Sequence, residues 1–245
     1  MALLPLKWNP LMLKPIAELE FYKKQHRYRL RNQWLAHNVS DVLAFDMEPF
    51  KQAMIDKYKD GPDGWAIRGE TIHDWLDQYL KGKEPSVPEK WALWINALLD
   101  QEFFDDAEVL ATEYRVVDPC KSCAGSFDFL IKKDGYIQIG DLKTVSSKRK
   151  PATAQLGAYA SMLSRQGVFP DIGITLVVGP EKVKLIEQSV GTCLEAWADS
   201  WDKFQATQPN FGLQVGANTD VGCAPQYSQA MSQLGHANRN AQQVN

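Results

Sequence analysis

The sequence predicts an α/β protein in which a central mixed β-sheet is flanked by helices and preceded by an N-terminal helical region. Three observations carry this expectation. Ile67, Thr71, Ile72, Trp75, Leu76, Tyr79 and Leu80 recur at spacings of three and four, the period of an amphipathic helix. Between Val109 and Thr144 the pattern changes to three short β-prone runs. From Ala152 onward a helix, two strands and a final helix follow.

Taken in order, Pro15 to about Tyr58 reads as helical, with Pro49 limiting one segment and Gly61-Pro62-Asp63-Gly64 marking a firm turn. A helix starts near Trp65 and runs to Lys81, where Gly82, Pro85 and Pro88 end it. A second helix over Glu89 to Phe104 carries Trp91, Leu93, Trp94, Leu98 and Leu99 toward a core, and Asp105-Asp106 closes it. Strands follow at Val109 to Val117, Ala124 to Lys132 and Tyr136 to Thr144, the last two joined by the hairpin turn Lys133-Asp134-Gly135. Pro151 introduces a helix over Ala152 to Arg165. Strands at Ile172 to Val178 and Val183 to Ser189 flank Gly179-Pro180-Glu181, and a helix from about Thr192 to Ala206 closes the domain. The expected division is an N-terminal helical region over 1–64 packed on the core, a core over 65–207, and a mobile low-complexity tail over 208–245. That tail holds too few large apolar residues to offset the entropy of ordering.

Composition narrows the class. A chain of 245 residues with 44% hydrophobic and 23% charged residues folds by burying a core. No apolar run approaches the roughly 20 residues of a membrane-spanning helix, and the N-terminal segment lacks a signal peptide's charged start and apolar stretch, so a cytoplasmic location is expected. Only Cys120 and Cys123 stand as a CxxC pair, while Cys193 and Cys223 are distant, a spacing that best fits reduced thiols. The formal charge of -3 argues against a uniformly basic coat for nucleic acid and leaves only local patches. Lys148-Arg149-Lys150 is one. The other is Phe21 to Trp34, where Lys23, Lys24, Arg27, Arg29 and Arg31 alternate with Tyr22, Tyr28 and Trp34. That mixture suits phosphate contact and base stacking, and equally suits an amphipathic helix with its aromatics turned inward.

The chemistry centres on two strands. Asp128 follows Gly125-Ser126-Phe127 within an apolar strand, where a buried carboxylate needs a partner. Asp141 and Lys143 on the next strand are two residues apart and share a face, so all three side chains can meet. Converging carboxylates repel unless a cation lies between them, and a hard divalent metal with few protein ligands suits the set. Lys143 adds a donor for charge that builds on a phosphate. An isolated DxK is more often an exposed strand pair, so the set needs other members. Gln155 and Tyr159 share a face of the following helix, and His73 on the earlier helix offers an imidazole ligand.

In order along the chain, Gly69 to His73 reads GxxxH, a strand glutamate follows, then Gly125 to Asp128 as GxxD, Asp141 to Thr144 as DLKT, and Gln155 to Tyr159 as QxxxY. Joined over roughly Trp65 to Ser189, the set resembles the RecB-type, phage-exonuclease-like branch of the PD-(D/E)XK nuclease superfamily. The resemblance implies a restriction-endonuclease-like core of helix, three strands, helix and two strands. It implies metal ligation by His73, Asp128, Asp141 and the Leu142 main-chain carbonyl, with Glu113 at the strand-glutamate position and Glu108 close enough to compete for it. It assigns catalysis to Asp128, Asp141 and Lys143, with Gln155 and Tyr159 orienting the site or contacting DNA. Phe127 stands where the named motif has proline. The cysteine arrangement of iron–sulfur relatives is missing, as are a second CxxC for zinc and a GxxxxGK[ST] motor loop.

The implied function is an Mg2+- or Mn2+-dependent deoxyribonuclease using one or two ions. A stand-alone exonuclease in recombination, repair or phage DNA processing is favoured, acting in the host cytoplasm if phage-encoded. Its partner is DNA with a free end; a homo-oligomer and a separate helicase or single-strand-binding partner are compatible with it. The alternatives are a catalytically inactive DNA-end-binding protein, a structure-specific endonuclease, and a phosphoesterase of small nucleotides. Lys148, Arg149, Lys150, Lys23, Lys24 and Arg27 are the candidate DNA contacts.

Overall fold

Alternating apolar residues and tight turns build the centre of this chain, seen here in a computed structural model that describes residues 7–8 (backbone only), 13–61, 63–144 and 150–208. Three long strands, β6 (Glu108–Asp118), β7 (Cys123–Lys133) and β8 (Tyr136–Thr144), form an antiparallel meander. The turn between β7 and β8 places Asp134 and Gly135 at positive φ, 52° and 83°, as a tight two-residue hairpin requires. Helix α5 (Thr153–Ser164) crosses to β9 (Ile172–Val178), which pairs parallel with β8, and β10 (Val183–Ser189) returns antiparallel along β9. The sheet is completed by β1 (Lys7–Trp8) beside β6 and β5 (His37–Asn38) beside the start of β7, giving seven strands of mixed direction.

Both faces are covered. Helix α3 (Trp65–Leu80) and α4 (Ala92–Leu99) close one face, where Ile72, Leu76, Ile95 and Leu98 pack with Phe129, Leu142 and Leu176. Helices α5 and α6 (Val190–Ala206) close the other, where Leu156, Met162, Trp197 and Trp201 pack with Phe127, Leu130 and Ile139. Each such buried side chain contributes about 1.5–3 kcal/mol. The result is a mixed α/β fold with a central mixed sheet flanked by helices. Among the described residues no helix is long and apolar enough to cross a membrane.

The N-terminal region departs from expectation. Only α1 (Val39–Ala44) and α2 (Pro49–Lys57) are α-helical; the preceding stretch is a three-stranded antiparallel sheet of β2 (Leu19–Tyr22), β3 (Arg27–Leu30) and β4 (Gln33–Trp34). The reason is visible in the period. Leu19, Phe21, Tyr28 and Leu30 turn to one face and join a small core with Leu35, Val117 and Ala124. Glu20, Tyr22, Arg27, Arg29 and Trp34 turn to the other, with the Arg27 guanidinium 4.9 Å from the Trp34 ring centre and that of Arg29 5.1 Å from Tyr22. Alternation of charged and apolar residues is strand periodicity, not helix periodicity. Arg31 and Asn32, both at positive φ (47° and 66°), make the two-residue turn between β3 and β4 without the glycine that usually announces it.

The segment Glu89–Phe104 is also broken. A 3-10 turn at Glu89–Trp91 leads into α4, and a second at Glu102–Phe104 follows it. Gln101 is extended, which brings Phe104 edge-on to Phe129 at 5.3 Å. The expected mobile tail lies outside the described residues from 209 onward, as do Lys148 and Arg149.

Candidate active site

The central sheet opens where its chemistry lies. Along one edge of β7, β5 pairs with Cys123 and Ala124, and β8 pairs only from Phe129 onward. Residues 125–128, the GxxD segment, therefore have no ladder partner on that side. Asp128 uses the opening, since its Oδ2 accepts a hydrogen bond from the Leu142 main-chain N–H. Gly125 admits Tyr159 to the same opening, because a Cβ there would come within 2.5 Å of the Tyr159 ring. On β6 the side-chain alternation breaks at Glu113, which holds a left-handed φ of 45°. A charged non-glycine residue in that conformation stores local strain and marks sites where a side chain has been re-aimed.

These departures converge on a cavity of about 320 Å³ bordered by His73, Glu113, Asp128, Asp141, Lys143, Gln155 and Tyr159. His73 arrives from α3, with Nδ1 3.0 Å from Asp128 Oδ1 and 3.7 Å from Glu113 Oε1. Lys143 Nζ lies 2.6 Å from Asp141 Oδ2 and donates to Gln155 Oε1 at 2.9 Å, while Gln155 Nε2 donates to the Tyr159 hydroxyl at 2.7 Å. Helix α5 thus holds the lysine from behind through a chain of neutral groups.

The electrostatics push the two aspartates apart. Burial raises the Asp128 carboxyl, but the His73 and Lys143 charges and the Leu142 N–H outweigh it, and its pKa falls below the usual value. Burial raises Asp141 as well, and the Asp128 charge adds to that while Lys143 only partly offsets it, so its pKa is raised. Burial works against a charged His73, yet Asp128 and Glu113 together raise its pKa to about 10. Burial lifts the Tyr159 hydroxyl far above its ordinary range, so it stays neutral.

The donor set fits a hard divalent cation. His73, Glu113 and Asp128 each present a ligand atom, all within 4.8 Å of one another. Asp141 Oδ2 is buried, and among the described residues its one polar partner is the Lys143 ammonium. One imidazole with carboxylate oxygens suits a hard or borderline divalent ion better than a soft metal. No cysteine joins this group. Cys123 and Cys193 are free and buried, burial pushing their thiols up to about 12 and about 11. Cys120 is disulfide-bonded, which corrects the expectation of reduced thiols throughout.

The other expected contacts lie elsewhere. Lys23 is exposed and ion-paired with Glu70 at 3.2 Å, Lys24, Arg27 and Lys150 are exposed, and none of the four borders the cavity. Sequence reasoning missed Arg115, Ser126 and Asn38 among its lining residues. Arg115 was within reach, because it stands two residues from Glu113 on the same strand.

The chain matches no protein-family model and no curated protein. Among solved structures it is similar to the crystal structure of SSO0001, with 20% identity, a TM-score of 0.36, and coverage of 66% of this chain and 73% of that one. It is also similar to a crystal structure named "Putative exonuclease" from Eubacterium rectale, with 12% identity, a TM-score of 0.48, and coverage of 69% and 78%. Likenesses this distant carry no functional argument, which rests on the geometry of the site.

Proposed function

We propose that this chain is a metal-dependent nuclease that hydrolyses DNA phosphodiester bonds, and that it works as a stand-alone exonuclease on DNA with a free end. The observation that carries the reading is the placement of Lys143, ion-paired with Asp141 and hydrogen-bonded to Gln155, beside the group formed by His73, Glu113 and Asp128. His73, Glu113, Asp128 and Asp141, with the Leu142 carbonyl, would hold Mg2+ or Mn2+, which would supply charge neutralisation and a more acidic water. Lys143 orients the attacking water and donates to the phosphate oxygens as negative charge builds in the transition state. Gln155 and Tyr159 restrict that ammonium to one position, which keeps the geometry set before substrate arrives. Asp128 and Asp141 remain distinct in basicity, and such a pair can divide ligand and proton-accepting roles.

Recombination, repair or phage DNA processing is the setting we propose, in the cytoplasm and with a separate helicase or single-strand-binding protein as the natural partner. The test is cleavage of end-labelled linear and covalently closed circular DNA with Mg2+, Mn2+ or chelator. Metal-dependent loss of linear but not circular DNA is the expected result. Cleavage of circles would replace the exonuclease with an endonuclease, and binding without cleavage would favour an inactive end-binding protein.

A further inference from the structure

One wall of the active-site cavity comes from outside the central sheet. Phe21 and Tyr28 face each other across β2 and β3 with ring centres 4.7 Å apart, and His26 stands edge-on to Phe21 at 5.5 Å. All three border the cavity. The small sheet that carries them is pinned to the core: Leu35 N–H donates to the Tyr28 carbonyl at 3.0 Å, and the Ala36 and His37 N–H groups bond the Ser122 hydroxyl and carbonyl, each at 3.0 Å. Arg115 also borders the cavity, its guanidinium 6.0 Å from the Phe21 ring centre. It is exposed, and among the described residues no carboxylate lies within ion-pair distance of it.

An unpaired guanidinium beside a half-buried aromatic ring complements a nucleotide, the cation taking a phosphate and the ring a base face. Resting on the nuclease reading above, we propose that Phe21, His26, Tyr28 and Arg115 form a subsite for one unpaired nucleotide, so that the enzyme selects single-stranded over duplex DNA. Size supports the restriction. The cavity of about 320 Å³ is at the lower end of the roughly 300–1,000 Å³ of small-ligand sites and is shared with the Lys143 and Asp128 group, which leaves room for one nucleotide. On this proposal a base leaves its partner before its phosphate reaches Lys143. The aromatic run is thus divided by strand alternation. Phe21 and Tyr28 serve the subsite, while Tyr22, Trp34, Arg27 and Arg29 occupy the outer face.

The test uses the full chain in chelator, where binding is measured without cleavage. Its probe is a short oligonucleotide containing 2-aminopurine, either single-stranded or annealed as a blunt duplex. Wild type is expected to bind the single strand at least tenfold more tightly than the duplex and to quench the fluorescent base by stacking. Phe21→Leu keeps apolar packing against Leu19 and Tyr28 but removes the ring. It should lower single-strand affinity roughly five- to a hundredfold and abolish quenching, whereas Phe21→Trp should retain both. Arg115→Gln, at an exposed strand position that tolerates replacement, should reduce the salt slope of binding by about one. Equal affinity for the two DNA forms, or Phe21→Leu and Arg115→Gln both binding like wild type, would overturn the subsite. Because no cleavage is read, failure of the nuclease reading would appear separately, as DNA binding that shows these effects with no hydrolysis when metal is added.

Discussion

Asp141 and Lys143 share a face because a strand repeats every two residues, so their partnership is legible from their spacing alone. His73 is different. Its sequence position reports only a helix, and its 3.0 Å contact with Asp128 exists because α3 packs across the sheet opening. Glu113 could be placed on a strand by pattern, but its left-handed φ could not, since nothing in its chemistry favours that conformation. The His73 contact has a measurable consequence. Its pKa rises from an unfolded value of about 6.5 to about 10 in the folded, metal-free protein. The stability it contributes is fully present below pH about 6.5 and is lost as pH rises through about 10. Urea unfolding in chelator should therefore show wild type losing stability between neutral and alkaline pH, and His73→Ala should flatten that decline. Parallel pH profiles for the two proteins would mean that the ion pair does not form.

At the scale of elements, β8, β9 and β10 have the bounds that their apolar patterns predict, because each is a short β-prone run closed by turn residues. The strands within Leu19–Trp34 alternate over only two to four residues each, so their period of two is easily overlooked beside the basic and aromatic composition of the run. Its turn residues, His26, Arg31 and Asn32, also lack the glycine that signals a hairpin. Packing of Leu19, Tyr28 and Leu35 against Val117 of β6 and Ala124 of β7 decides the matter, and those contacts are long-range. A second long-range feature is the seat of α5 on α6. A Cβ at Gly157 would collide with the Cys193 main-chain carbonyl, which no side-chain rotation can relieve. Gly157→Ala should destabilise the protein by about 1–3 kcal/mol, read as a lower urea midpoint. Because α5 carries Gln155 and Tyr159, activity per folded molecule should fall with it. An unchanged midpoint would show that the two helices separate freely.

Across the whole molecule, two apolar layers clamp the sheet from opposite faces, and the site lies where the sheet is incomplete between β5 and β8. Helix α3 delivers His73 to this gap, α5 delivers Gln155, and the small N-terminal sheet supplies the aromatic wall. The sequence motifs name the residues that meet there but not the gap, which results from where the β5–β7 ladder ends and the β7–β8 ladder begins. That construction accounts for a rigid Lys143 next to a set of metal-binding oxygens and an imidazole. The most direct test is the rate of Mg2+-dependent nucleotide release from labelled single-stranded DNA by wild type and Lys143→Ala side by side. The account predicts that wild type cleaves only with metal and that the folded variant is slower by about a hundredfold or more. Equal rates for the two proteins, or cleavage that persists in chelator, would contradict it.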